Sequence, residues 1–513
     1  MNEQTLITGT WILIVAYMAL ILFFVIRGAL RTKSLSDYSV GSINFSPVTV
    51  GLSLAASITS AATFVINPGF IANYGISGVL SFGIFFPLAA MISLVVLTKS
   101  FRKQGSKFKS LTLAQWIGDR YKSKSYAFVM AVLSMLMITF IVLIIVAITK
   151  VLSKALDVNE ITVMIAVIVF VFGYMMFGGA NSMVYTNTIQ AVVMIVVAFI
   201  LLTSGYDHFR DGITAFMEKL RAIDPVLTKS TNPGSLLFRD YYEIIFAQIV
   251  VGIAVVVQPH IITKSLLLKR DSDVNRFLTV AVITEILFFA VVIVGLYARI
   301  EFPDLTFQGT PLKNDGIISA YVVQTFSSGL GSVIVGLIVI LGLISAGLST
   351  LEGLIQSVSS TFTNDIIKPL TGDRLEDKKL MLINRLAIVG LAVITFFISH
   401  NQLLYPKLSV GILAQNGVYA YFSAAFVPVL FGIFMKNTDS RAPFIATITA
   451  IVVHFGIYYG LPLLVENAGW SFGFFTKYLT GVVRNPGIAA SSAIIISTVT
   501  GLVANAFFNR KRS

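Results

Sequence analysis

Two features of the composition and one feature of the sequence pattern predict an all-α polytopic membrane protein. Hydrophobic residues make up 56% of the 513 and charged residues only 12%, with a mean hydropathy of +0.87. A soluble chain carries roughly 25% charged residues, about twice that share. Apolar runs of about 20 residues, the length that crosses a bilayer, recur along the whole chain. Many separate spans explain this composition, whereas one hydrophobic core does not.

The apolar runs predict about 13 transmembrane helices in a lipid bilayer. The first run is too long for the core of a signal peptide and lacks both a preceding basic region and a cleavage site, so we interpret it as a retained span. In chain order the predicted spans are 6–26, 45–72, 75–98, 126–153, 158–178, 183–205, 241–263, 277–299, 331–364, 382–400, 404–434, 442–464 and 486–508.

The basic residues predict how the chain is oriented. There are 37 basic and 24 acidic residues, a net charge of +13. Basic residues gather in alternate connections, for example 99–124, Lys264 to Arg276, and 368–385. Because such loops stay in the cytoplasm, we expect the N-terminus outside, the C-terminus inside, and a multi-pass protein of the cytoplasmic (inner) membrane. The surplus positive charge then reports topology, and nucleic acid is not an expected partner.

Several classes of chemistry have no support in the residues. The chain has no cysteine and four histidines, so disulfides and thiolate chemistry are excluded. Neither the HExxH pattern of zinc proteases nor the GxxxxGK[ST] pattern of phosphate-binding loops occurs. No nucleophile–base pair is visible either. We therefore do not expect an enzyme.

The second span contains a stretch that is poorly suited to a regular helix. Ala56 to Phe64 consists mainly of small and hydroxyl side chains, and Asn67-Pro68-Gly69 follows. Nonhelical backbone at membrane depth persists only where it lines a cavity or is buried in protein. Unwound carbonyl groups at such a place can coordinate a cation. The second span is thus a candidate ion-binding element.

The ninth span carries a polar stripe. Ser345, Ser349, Glu352 and Gln356 follow at i, i+4, i+7 and i+11, which places them on one helix face. A small-residue packing seam explains the serines equally well. Glu352 favours a functional role, because an ionisable group in mid-span is costly. With helix-break carbonyls, the adjacent hydroxyls of Ser349 and Thr350 suit sodium, which prefers oxygen ligands.

The seventh span is interrupted by Gln258-Pro259-His260. Proline removes a backbone donor and strains the preceding turn. Both an ordinary kink and a functional break fit this pattern.

These elements occur among several stretches that match one known family in order and in placement. The stretches are Ala56 to Gly69, Leu111 to Trp116 with Arg120-Tyr121, Phe177 to Gly179, Tyr185 to Gln190, Pro259 to Ile261, Ala346 to Thr350, Phe362 to Asp365, and Tyr421 to Gly432. With them the sequence resembles, over nearly its whole length, the sodium:solute symporter family of proline, pantothenate, sialic acid and sodium–glucose carriers.

The resemblance implies a LeuT-type fold, in which two five-helix repeats of inverted topology enclose a central site. The implied organisation is an extra N-terminal helix and cytoplasmic loop at 1–44, a first repeat at 45–206, an extracellular loop at 207–240, a second repeat at 241–434, and two C-terminal helices at 435–513.

The resemblance also implies a sodium ion as the coupling ion. Carried over by position, its ligands would be the backbone carbonyls of Ala56, Thr59 and Ala346 and the hydroxyls of Ser349 and Thr350. An aspartate that helps a second sodium site in some members is replaced here by Asn187. Glu352 is the candidate to supply the missing carboxylate of such a second cation site.

Other departures from the family bear on the solute. The proline carrier's aspartate falls on Ile58, and the sugar carriers' Glu-Gln pair falls on Ala62 and Thr63. The pair Pro259-His260 is more similar to the proline and organic-acid branch. We therefore expect a small polar organic solute, with a carboxylate as the suggested class.

The predicted function is sodium-coupled secondary active symport, importing this solute by alternating access. Two alternatives stay open: a proton-coupled transporter that uses Glu352 or Glu285, and a non-transporting membrane sensor of the same fold. The oligomeric state and the ratio of sodium to solute are open as well. The candidate solute-facing residues, each of which also fits a packing role, are Ser60, Thr63, Phe82, Phe86, Gln258, Gln415, Asn416 and Tyr419.

Overall fold

The computed structural model describes residues 2–108, 110–268, 270–326, 330–372, 375–405, 409–481 and 483–510. The predicted outer boundaries at residues 1 and 513 lie outside this part of the chain. Within it, ten helices are long and apolar enough to cross a membrane, or up to 12 if each of two bent helix pairs is one span.

The apolar helices follow one another along the whole chain. A further apolar helix, α6, has 16 residues, just short of the usual spanning length. In chain order the helices are α1 (Ile7–Ala29), α2 (Pro47–Ile58), α3 (Ala62–Tyr74), α4 (Ile76–Lys103), α5 (Lys124–Leu156), α6 (Glu160–Met175), α7 (Ala180–Phe209), α8 (Tyr242–Val255), α9 (Pro259–Leu267), α10 (Asp271–Glu301), α11 (Gly331–Leu370), α12 (Asp377–Leu404), α13 (Val410–Phe434), α14 (Arg441–Ala468) and α15 (Pro486–Asn509).

The connections hold shorter elements. A two-stranded antiparallel hairpin pairs Thr306 with Pro311 and Phe307 with Thr310. The shorter helices include Leu35–Val40, Leu113–Tyr121, Gly212–Ile223 and Ile317–Thr325. The exact number of spans and the orientation of the termini stay predictions.

The expected interruptions occur in the second and seventh spans. The second is bent by 52° between α2 and α3, and the seventh by 56° between α8 and α9. At the first bend, Thr59 is extended and the Ser60 hydroxyl accepts a hydrogen bond from the Ala62 amide. At the second, Gln258 is extended, as expected for a residue that precedes proline. Helix α11, the ninth span, is continuous across its polar stripe.

Burial separates central from peripheral helices. In the apolar window of α13, 83% of the residues are buried, against 22% in α1 and in α14. Helix α2 packs against α7, α10 and α11, and α5 packs against α11 and α13. The first broken span therefore lies among the central helices, while α8 of the second packs mainly against α4, α13 and α15. This agrees with two repeats that each begin with a broken helix, although the repeat boundaries themselves stay predictions.

One close helix crossing offers a test of this packing. Gly295 of α10 lies so near α3 that an added Cβ would be 2.1 Å from the Pro68 carbonyl oxygen. A backbone atom cannot move away as a side chain can, so overpacking here costs about 1–3 kcal/mol. We expect Gly295→Ala to lower the melting temperature of the purified protein in detergent.

Gly390 of α12 is the matched control for this substitution. A Cβ there meets nothing within 4 Å in the described structure, so Gly390→Ala should leave the melting temperature unchanged or slightly higher. Equal melting temperatures for the two variants would contradict the crossing of α3 and α10.

Candidate functional site

Two hydroxyl groups of α11 meet the broken end of α2. The Ser349 Oγ lies 2.6 Å from the carbonyl oxygen of Ala56 and 3.2 Å from that of Ala346. The Thr350 Oγ1 lies 3.0 Å from the carbonyl oxygen of Ser57 and 3.4 Å from that of Ala56. Every one of these residues is buried. The result is a compact cluster of oxygen atoms without a formal charge.

The end of α2 explains why these carbonyls are available. The last four carbonyls of a helix have no intrahelical amide partner. The Thr59 amide bonds the Ala55 carbonyl, while the Ala56 and Ser57 carbonyls receive hydroxyl donors from α11. A monovalent cation that prefers oxygen could replace those donors, because unwound carbonyls in this setting coordinate sodium. This set of oxygen ligands therefore fits the predicted sodium site.

The fifth predicted ligand, Thr59, lies at the same helix end. Its hydroxyl donates to Glu285 Oε2 of α10 at 2.8 Å. Glu285 is buried, and its other carboxyl oxygen has no hydrogen-bond partner among the described residues. The structure thus places the carboxyl group of Glu285 in direct contact with a candidate ligand residue, Thr59.

Glu352, one helical turn beyond Ser349 on α11, is buried among neutral donors. Its Oε1 accepts hydrogen bonds from the Tyr174 hydroxyl at 2.6 Å and from Gln190 Nε2 at 3.3 Å. Its Oε2 accepts one from the Thr186 hydroxyl at 2.6 Å. These contacts hold the carboxyl group between α6, α7 and α11.

Asn187, the other residue of the predicted second cation site, faces α2 instead. Its Nδ2 donates to Ser57 Oγ at 3.0 Å, and its Oδ1 has no partner among the described residues. The same Ser57 Oγ accepts a short hydrogen bond from the ammonium group of Lys264. The structure therefore brings a lysine to the place where the resemblance implies a second cation.

The position of Lys264 was not foreseen. The sequence prediction assigns it to a connection outside the membrane, one residue after a span that ends at 263. The structure corrects this, because the 56° bend redirects the chain and α9 continues to Leu267. Lys264 is only 2% exposed. The proline break was the available signal, since a redirected half-helix carries the following residues deeper into the protein.

Most of the predicted solute-facing side chains line a single cavity. They are Ser60, Thr63, Phe82, Phe86, Gln258, Gln415 and Tyr419. Asn416 does not join them. Its Nδ2 donates to the Tyr459 hydroxyl at 2.7 Å, and its Oδ1 lies 3.0 Å from a ring nitrogen of His454. Asn416 thus connects α13 to α14, away from the cavity.

The cavity is mainly apolar and uncharged. Among the described residues that line it there is no Asp, Glu, Lys, Arg or His. Ile58 and Ser60 contribute to its wall from the bend between α2 and α3. Gln258, at the other bend, is buried, and its Oε1 has no protein partner in the described structure. Both helix bends therefore border one space.

Several of the remaining matched stretches meet at one end of the bundle. The Thr112 hydroxyl donates to Asp365 Oδ2 at 2.5 Å, next to the end of α11. The Arg120 guanidinium donates to the Gly432 and Met435 carbonyls at the end of α13. The helix Leu113–Tyr121 is thereby attached to both α11 and α13.

The hydrogen bonds of Glu352 yield a test of the site's geometry. Tyr174→Phe removes one donor from a buried carboxyl group, which costs about 1–3 kcal/mol. We expect this variant to have a lower melting temperature than the wild-type protein. Tyr185→Phe is the control, because within the described structure the Tyr185 hydroxyl makes no hydrogen bond. A melting temperature unaffected by Tyr174→Phe would be at odds with the placement of Glu352.

Comparisons with known proteins identify the family of the chain. The family model "Sodium:solute symporter family" matches residues 38–450. The sodium/pantothenate symporter of Escherichia coli is 23% identical, with 86% of this chain and 89% of the relative covered. The monocarboxylic acid transporter of Corynebacterium glutamicum is 21% identical, with 85% of this chain and 81% of the relative covered.

A solved structure shares the fold. It is the outward-open, substrate-bound state of a Na⁺-coupled sialic acid symporter, with a TM-score of 0.74 and 17% identity. The structural alignment covers 96% of this chain and 97% of the sialic acid symporter chain. The family match spans most of the sequence and includes both broken helices and the oxygen cluster. The chain therefore belongs to the sodium:solute symporter family, with sodium as its coupling ion.

Proposed function

We propose that the protein imports a small organic carboxylate together with sodium, by alternating access. One observation carries the proposal: the oxygen cluster and the cavity share the bend between α2 and α3. Ala56 and Thr59 belong to the predicted ion site, while Ile58 and Ser60 line the cavity. The ion and the solute would therefore both act on the backbone of the same segment, residues 56–60.

This shared bend supplies a physical basis for coupling. To bind sodium, the hydroxyls of Ser349 and Thr350 must turn from donating to the α2 carbonyls to offering lone pairs to the ion. The ion then holds α2 and α11 together in place of those hydrogen bonds, which defines the backbone at Ser60. Sodium would raise the affinity for solute, and solute would raise the affinity for sodium by the same factor.

The cavity supports a carboxylate that has a hydrocarbon body. The side chains of Phe82 and Phe86 offer apolar surface. The amides of Gln258 and Gln415 and the hydroxyl of Ser60 offer neutral hydrogen bonds, which also bind anionic oxygen. Two relatives, a sodium/pantothenate symporter and a monocarboxylic acid transporter, are named for solutes with this chemistry. A sugar, with polar groups on every side, suits the cavity less well.

Alternating access would require one end of the bundle to open while the other stays closed. The contacts of Leu113–Tyr121 with the ends of α11 and α13 close one end. Of these, the bond between Thr112 and Asp365 joins that helix to the same α11 that carries Ser349 and Thr350. We infer that α11 transmits the effect of sodium binding to this contact.

The sodium site can be tested without knowledge of the solute. We expect sodium, but not potassium or choline at equal ionic strength, to raise the melting temperature in detergent. Binding to the folded state alone stabilises by RT ln(1 + [L]/Kd), about 1.4 kcal/mol at ten times Kd. Ser349→Ala should reduce the shift. The buried Ser491 of α15, whose hydroxyl bonds its own helix, gives the control Ser491→Ala, which should retain it.

The solute class can be tested by uptake into proteoliposomes. With an inward sodium gradient, we expect uptake of pantothenate or a short monocarboxylate, and no uptake of glucose. Gln258→Ala should raise KM for that solute more than it lowers kcat, because the amide is proposed to bind the solute and not the ion. Uptake that follows a pH gradient in sodium-free buffer would instead favour proton coupling through Glu352 or Glu285.

A further inference from the structure

We propose that the ammonium group of Lys264 permanently occupies the second cation position, so that the protein binds one sodium ion. The inference rests on the proposed sodium coupling and specifies its ion count. It concerns the space between α2, α7, α9 and α11, beside the oxygen cluster of Ser349 and Thr350.

The contacts of Lys264 are those of a bound cation. Its Nζ donates to the Ser53 carbonyl at 2.8 Å, to the Ser53 hydroxyl at 2.9 Å, and to the Ser57 hydroxyl at a short distance. An ammonium group has three donors, and here each of them has an oxygen partner on α2. These oxygens would otherwise be available to a metal ion.

A buried ammonium group favours a nearby opposite charge, and among the described residues the carboxyl group of Glu352 acts on Lys264 through space, without an ion-pair contact. Burying an unpaired charge is strongly unfavourable. The carboxyl group of Glu352 attracts Lys264 electrostatically, while its own hydrogen bonds come from the neutral groups of Tyr174, Thr186 and Gln190. Arg102, which donates to the carbonyl of the adjacent Ser265, pairs with Asp271 instead. Lys264 is thus the resident positive charge for Glu352.

Ser57 connects this ammonium group to the sodium site. Its hydroxyl accepts from Lys264 and from Asn187, and lies 3.3 Å from the Ser349 carbonyl. Its own carbonyl accepts from the Thr350 hydroxyl at 3.0 Å. The ammonium group and the proposed ion therefore contact the same residue at the end of α2. A second sodium there would meet a like charge already in place.

Removal of the lysine should turn this position into an ion site. Lys264→Ala frees the Ser53 carbonyl and the Ser57 hydroxyl, which lie beside Asn187, whose Oδ1 has no partner among the described residues. Oxygen ligands of this kind suit a sodium ion, and a negative charge on Glu352 would strengthen its binding. We expect this variant to bind two sodium ions, and the double variant Lys264→Ala/Glu352→Gln to bind one.

The experiment is equilibrium binding of radioactive sodium to the purified, full-length protein, counted per molecule. The expected values are one for the wild type, two for Lys264→Ala and one for the double variant. Lys150→Ala is the control: Lys150 pairs with Glu160 at a partly exposed position, and its loss should leave the count at one.

The outcomes separate this inference from the proposed function. A wild-type count of two overturns the inference and leaves sodium symport intact, as does a count of one in a folded Lys264→Ala protein. A wild-type count of zero overturns sodium symport and the inference with it. If Lys264→Ala does not fold, Lys264→Arg replaces it: a fixed cation is retained, so one sodium is expected, and two would contradict the inference.

Discussion

The broken end of α2 places backbone carbonyls deep inside the bundle, where water cannot satisfy them. An unpaired carbonyl at that depth costs several kcal/mol, so each must find a donor or a cation. The hydroxyls of Ser349 and Thr350 meet this requirement for Ala56 and Ser57. The same need that holds α11 against α2 thus creates the proposed ion site, and the two helices cannot separate without exposing polar backbone.

Charges are concentrated around this one helix end. Glu285 reaches it through Thr59, and Lys264 reaches it through Ser53 and Ser57. Glu352, on α11, is the carboxyl group that acts on Lys264. Each of these buried groups has hydrogen bonds to neutral partners, as a low-dielectric interior demands. The cavity itself is uncharged. We therefore propose that the charged groups near the ion site control the coupling to sodium, while the shape of the cavity selects the solute.

Part of the candidate site was predictable from residue types. Ser349, Thr350 and the small residues near Ala56 stand out through the mid-span Glu352 beside them and the resemblance to the family, because small and hydroxyl residues alone also fit a packing seam. Asn416 was predicted to face the solute but contacts α14, since a sequence does not reveal which face of the fully buried α13 is turned inward. Lys264 was assigned to a connection, because hydropathy marks where a span stops and not where a bent segment goes.

The sequence by itself determined the membrane class, the succession of apolar helices, the two breaks and the family. These follow from local properties: hydropathy, proline, and runs of small residues act within one turn or one span. Only the tertiary structure decided that Lys264 meets Ser57, that Glu352 meets Tyr174, and that both breaks border one cavity. Those pairs are far apart in the chain, and their meeting depends on the angle of each bend and the rotation of each helix about its axis.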